Sequence, residues 1–165
     1  MSYTNKTYVC FDADNDMNYY RLMQAWKEND RFDFNFHNAH EINTLRDGST
    51  EETIKAKLRE RLRNTKVLVV LIGKNTKNLY KYVRWEIEYA AENDIPIVAV
   101  NLNGKKSIDS DLCPPVLKDK LAIHIPFGPK IMDYALNHWV DSYFKHKENG
   151  DTGPRNYKDS VYEKL

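Results

Sequence analysis

Cysteine is scarce in this chain: 165 residues carry two, Cys10 and Cys113. That is too few for a disulfide framework, so a reducing compartment is the default and the cytoplasm the expected location. Long apolar runs are missing as well. The longest purely apolar stretch is Val67 to Ile72, against the roughly 20 residues a membrane-spanning helix needs, and the first residues lack the basic-then-apolar pattern of an export signal. No charge of one sign dominates. Lysine plus arginine number 25 against 24 acidic residues, a net charge of +1, which leaves no basic footprint for nucleic acid. Nor is there a GxGxxG, so a resident dinucleotide cofactor has no support. Gly73-Lys74-Asn75-Thr76 has Leu68 where a phosphate loop requires glycine. His37 and His40 have no cysteine cluster beside them and read as loop or surface histidines. The sequon Asn5-Lys6-Thr7 matters only in a secreted chain.

What is present is an alternation of short apolar runs with amphipathic ones. A chain of about 150 residues buries roughly two-thirds of its unfolded surface, enough for one domain with its own core. Thr7 to Phe11 is β-prone and ends in the acidic turn Asp12-Ala13-Asp14-Asn15-Asp16. Tyr19, Leu22, Met23 and Trp26 then recur at helical spacing. Phe32, Phe34 and Phe36 alternate with polar residues as in a half-exposed strand, and 37–48 reads as a long polar loop of the kind that carries function. Ser49 with Glu52 forms a capping box before Ile54, Leu58 and Leu62. Val67 to Ile72 is unbroken and rich in β-branched residues, as in a central parallel strand covered on both faces.

A helix is expected over about Tyr80 to Asn93 and a strand from Ile95 to Val100 with Pro96 near its start. A fifth strand follows at Leu121 to Ile125. Ile131, Met132, Ala135, Leu136, Trp139, Val140 and Phe144 form a last amphipathic helix. The expected architecture is α/β, a parallel sheet of about five strands with helices on both faces, over residues 1–147. Residues 148–165 read as a polar C-terminal tail. Ligands in such sheets bind outside the C-terminal strand ends.

Two places carry candidate chemistry. On the helix from Tyr80, Val83, Ile87, Ala90 and Ala91 form one apolar stripe. Glu86 lies about 85° from its centre, the least solvent-facing of the acids there. Partial burial would raise its pKa and suit it to act as a base, a nucleophile or a stabiliser of positive charge. The alternative is a flanking carboxylate paired with Arg84 or a lysine. The acidic turn sits at the ligand end of the first strand, with Asp16 or Asn15 placed to cap the following helix and Asp12 placed to meet a ligand. Spaced aspartates also suit a divalent ion. Cys10 has no basic neighbour in sequence and reads as a small core residue.

In order and spacing, Val9-Cys10-Phe11-Asp12-Ala13-Asp14, Val67 to Ile72 with Gly73-Lys74-Asn75-Thr76, and Tyr82-Val83-Arg84-Trp85-Glu86-Ile87-Glu88-Tyr89-Ala90 resemble the TIR-like family of the Thoeris antiphage ThsB proteins. The likeness spans roughly residues 6 to 145. It implies a flavodoxin-like TIR fold and an enzyme that takes NAD as substrate, with no resident cofactor or metal. Such an enzyme cleaves the nicotinamide glycosidic bond and cyclises the product to an ADP-ribose signal for a downstream effector. It implies Glu86 as the catalytic carboxylate, Phe11 and Asp12 as contacts to the nicotinamide ribose, and Tyr82 and Trp85 as supporting aromatics. The 37–48 loop would shape the site and self-association, although its sequence departs from ordinary TIR loops. Two other readings are a non-catalytic adaptor that works by association, and a nucleoside-processing enzyme with a glutamate glycosyl acceptor. A flavin binder is weakened by the absence of a Gly- or Ser/Thr-rich first loop.

Overall fold

Val67–Ile72 is buried at every position, and this strand organises the molecule. With side chains alternating between two faces, six consecutive apolar residues require cover on both. The computed structural model describes residues 6–28, 35–37, 50–79 and 81–165. In it this strand, β3, lies inside a six-stranded, wholly parallel sheet with β1 (Lys6–Cys10), β2 (Asn35–His37), β4 (Ile97–Asn101), β5 (Ala122–Pro126) and β6 (Pro154–Asn156), in the order β2-β1-β3-β4-β5-β6. The helices are α1 (Met17–Glu28), α2 (Glu51–Leu62), α3 (Tyr82–Glu92), α4 (Pro129–Glu148) and the short α5 (Asp159–Glu163). This is the α/β, flavodoxin-like arrangement expected of a TIR-like fold.

The pairing register decides which residues share a face. Cys10 lies opposite Val70, Val70 opposite Ala99 and Ala99 opposite His124, so these four side chains point the same way. On that face α3 brings Glu86 against Cys10 and Tyr8, and α2 packs beside α3. The opposite face receives α1, where Tyr20 stacks on Phe11 at 4.9 Å between ring centroids. Tyr20 thereby takes the inward position expected of Leu22, which is 47% exposed.

Several expectations shift by a residue or more. The cap of α2 is Thr50, whose hydroxyl accepts from the Thr53 amide at 3.2 Å. The Ser49–Glu52 box lies partly outside the described residues, as do Phe32, Phe34, His40, Tyr80 and nearly all of the 37–48 loop. Pro96 falls just before β4, where its carbonyl accepts from the Leu68 amide at 2.9 Å and its missing N–H costs nothing. Helix α4 runs beyond the expected stripe, and Phe144 near its end is 45% exposed.

The larger difference is at the C-terminus. Pro154–Asn156, within the expected polar tail, pairs with β5 as a sixth strand. Tyr157 sets its ring edge-on to Tyr134 of α4 at 5.1 Å, and Lys130 Nζ donates to the Leu165 carbonyl. Composition hid this because two or three aromatic anchors among polar residues suffice to dock a short strand.

Candidate functional site

Three segments converge at the C-terminal ends of β1 and β3. The first is the acidic turn. The Asp16 amide donates to the Asp12 carbonyl at 2.8 Å, while the two Asp12 carboxylate oxygens accept from the Asp14 amide at 3.1 Å and Asn15 Nδ2 at 2.6 Å. Asp12 is buried, and its charge is spent on holding the turn. Neither Asn15 nor Asp16 caps α1 with its side chain. Asn15 turns back to Asp12, and Asp16 packs on Gly73 with Oδ2 buried and without a hydrogen-bond partner among the described residues.

The second segment is the Gly73 to Thr76 turn. The Thr76 hydroxyl accepts from the Gly73 amide at 2.9 Å and donates to the Leu71 carbonyl at 3.2 Å, which fixes the chain as it leaves β3. A Cβ on Gly73 would overlap the Asp16 carboxylate, so glycine here serves close approach rather than an unusual backbone angle. The pairing of glycine and threonine three residues apart thus has a structural reason: one admits Asp16, the other locks the turn.

The third is α3. Its buried residues are Val83, Glu86, Ile87 and Ala90, so the buried face is turned toward Glu86 relative to the stripe read from sequence. Glu86 is a core position, 7% exposed. Arg84, one partner offered by the alternative reading, instead pairs with Glu88 at 3.1 Å, and Glu86 Oε2 is buried with no hydrogen-bond partner among the described residues. Burial pushes the Glu86 carboxyl up from an ordinary 4.5 to about 8, opposed in part by the Cys10 thiol that faces it. The neighbours respond in kind. Burial and the nearby carboxylate raise the Cys10 thiol and the Tyr8 phenol well above their usual ranges. A carboxyl so placed is protonated at neutral pH and ionises when a positive charge arrives beside it.

The structure thus brings Glu86, Cys10 and Tyr8 together, and places Phe11 and Asp12 where β1 ends. Trp85 it places elsewhere. Its ring lies under Lys55 Nζ at 4.7 Å and lines a cavity of about 230 Å³ between α2 and α3, with Tyr82 edge-on at 5.8 Å. Sequence reasoning missed Cys10 as a neighbour of Glu86, although it alternates with Tyr8 on β1 and α3 follows the adjacent strand. It also offered Asp16 or Asn15 for helix capping. Among the described residues, no three His, Cys, Asp or Glu side chains converge as a metal site would require, and no helix is long and apolar enough to cross a membrane.

Beyond the ends of β3 and β4, residues 102–121 form a braced connection. Asp109 accepts from the amides of Asp111 and Leu112 and from Asn103 Nδ2, and Asn101 Nδ2 donates to the carbonyls of Lys105 and Ser107. Between this segment and α3 lies a mainly apolar cavity of about 240 Å³ lined by Thr76, Leu79, Val83 and Pro114 to Val116.

The family model for the TIR-like domain of the Thoeris protein ThsB matches residues 8–107. That span takes in the acidic turn, the Gly73–Thr76 turn and all of α3, and leaves β5, α4 and the docked C-terminus outside it. With the matched span covering more than half of the chain, the chain belongs to the Thoeris ThsB TIR-like family.

Proposed function

We propose that this chain cleaves the bond between nicotinamide and ribose in NAD and makes a cyclic ADP-ribose signal for a downstream effector in antiphage defence. The observation that carries the reading is Glu86: a glutamate in the core stripe of a helix, without a cation partner among the described residues, beside the end of the first strand. Burying an unpaired carboxyl is costly, and such groups cluster where chemistry is done.

The chemistry follows from charge. The nicotinamide ring of NAD is a cation, and its approach favours loss of the Glu86 proton. As the C1′–N bond breaks, its electron pair leaves with nicotinamide, and the positive charge passes to the ribosyl centre. A fixed carboxylate stabilises that centre and hydrogen-bonds ribose hydroxyls. A hydroxyl of the same ADP-ribose then attacks C1′ and loses its proton, closing the ring, whereas attack by water gives free ADP-ribose. Excluding water therefore selects cyclisation. In this reading Phe11 and Asp12 are assigned to the nicotinamide-ribose end of the site, Asp12 by holding the acidic turn in shape rather than by a free carboxylate oxygen, and Tyr82 and Trp85 are assigned to supporting α3. NAD is substrate, not cofactor, no metal is needed, and the protein acts in the cytoplasm, with self-association completing the site.

The near-complete burial of Glu86 favours one competing reading, a non-catalytic adaptor in which the glutamate is structural. The two separate on Glu86→Gln and Glu86→Asp. An enzyme loses nicotinamide release by at least 100-fold in both while keeping its circular dichroism spectrum. Unchanged nicotinamide release in folded variants refutes the enzyme.

A further inference from the structure

The turns that lead into β3 and β4 enclose, together with α4, a cavity of about 440 Å³ at the other end of the sheet from the acidic turn. Its size lies within the roughly 300–1,000 Å³ typical of small-molecule sites. Ile95, Pro96 and Val140 give it an apolar lining. Tyr89 and Phe144 add two rings, of which Phe144 is 45% exposed and set edge-on to Tyr143 at 5.2 Å. Arg63 and Lys66 bring two cations, neither with an ion-pair partner among the described residues. Arg63 caps α2, where a cation suits the negative end of the helix. Lys66 lies beyond the helix and has no such role.

The carboxylate in the same lining is withheld from both cations. Asp94 is held by Lys147 of α4 at 2.9 Å. Its φ is 53°, and positive φ is otherwise confined to glycine among the described residues. Asp94 follows the cap of α3, where the Ile95 amide closes the turn on the Ala90 carbonyl at 2.9 Å. Glycine is the usual and less strained choice at such a place. The turn alone does not need an aspartate. What the carboxylate adds is the tie to Lys147, which fixes the end of α4, and Phe144 with it, beside the turn.

We propose that this cavity binds a small anion that carries a flat ring, a nucleoside monophosphate, with the phosphate on Arg63 and Lys66 and the base against Tyr89 and Phe144. A guanidinium beside an ammonium matches a phosphate, and an aromatic face accepts any base by stacking. Inorganic phosphate would leave the rings unused, and an uncharged apolar ligand would leave two cations desolvated and unpaired. The site is separate from Glu86 and does not depend on the chemistry assigned there.

The test titrates AMP into the isotope-labelled full chain and follows the backbone amide resonances. Saturable shifts are expected at Tyr89, Asn93 and Phe144. Arg63→Glu and Lys66→Glu should each weaken binding by about 10- to 100-fold, and Phe144→Ser by about 5- to 100-fold. All three positions are exposed, so the fold tolerates these changes, and Lys164→Glu, an exposed cation elsewhere, should leave affinity unchanged. Inorganic phosphate or adenosine binding as tightly as AMP overturns the proposal, because the ring or the charge then adds nothing. Resonances that stay unmoved at millimolar AMP, or shifts confined to the ends of β1 and β3, overturn it too. A single-stranded oligonucleotide whose affinity grows with its length would make this a strand-binding surface and refute the nucleotide site.

Discussion

Glu86 makes the free protein less stable as pH rises, and the size of that effect can be worked out. In the native state its carboxyl holds a proton up to about pH 8, against an ordinary value of 4.5 in the unfolded chain. Below pH 4.5 both states are protonated and the group costs nothing. Between 4.5 and 8 the unfolded chain releases the proton while the native state keeps it, so stability falls with pH. Above 8 both are ionised and the loss is complete. At about 1.4 kcal/mol per pKa unit the span corresponds to about 4–5 kcal/mol, a large fraction of the 5–15 kcal/mol typical of a whole domain.

Urea denaturation of wild type and Glu86→Gln, at unit steps from pH 5 to pH 9, isolates the effect. The amide cannot ionise, so every other titrating group cancels in the difference. Near pH 5 the variant is expected to be no more stable than wild type, because its extra N–H donors are buried. By pH 9 it should be more stable by several kcal/mol, a midpoint shift of about 2 M urea for an m value of about 2 kcal/mol/M. Two curves that stay parallel across the range would refute the reasoning, because Glu86 would then titrate alike in both states.

Gly73→Ala sets a Cβ into the Asp16 carboxylate and should cost about 1–3 kcal/mol, as overpacking does; Asp16→Ala in the same chain should recover most of it, and additive losses in thermal melts would contradict the contact. His124 in β5 is fully buried with both ring nitrogens unpartnered among the described residues, and burial lowers its pKa to about 4. Its effect has the opposite sign to that of Glu86: stability is lost as pH falls from 6.5 through 4, by about 3 kcal/mol, and His124→Leu should flatten the acid limb of the stability profile. Hydrogen bonds hold the Asp109 carboxyl down to about 2; Asp109→Asn should speed hydrogen exchange at the Asp111 and Leu112 amides, and unchanged exchange would mean that the loop is held by other contacts.

Much of the fold is legible in the sequence because the strands state their own burial. Val67 to Ile72 could only be a covered central strand, and the turn signals around it place the neighbouring elements to within a few residues. The C-terminal strand was not legible, since Pro154 to Asn156 has no apolar pattern and is held by pairing with β5 and by tyrosines outside it. At the site, helical spacing put Glu86 beside the apolar stripe, and only packing against β1 showed it to be within the buried set. The roles within the acidic turn were beyond any sequence rule. Asp12 and Asp16 are alike in composition and differ only in which nearby donors reach them, a property of the folded turn.

The central claim is a glycosidic cleavage carried by Glu86. The most direct test is mass spectrometry of NAD incubated with wild type and Glu86→Gln, each purified and in lysate from phage-infected cells. The account predicts release of nicotinamide together with a cyclic isomer of ADP-ribose from the wild type, and neither from the variant. NAD left intact by the wild type even in infected lysate, or consumed equally by both, would contradict it.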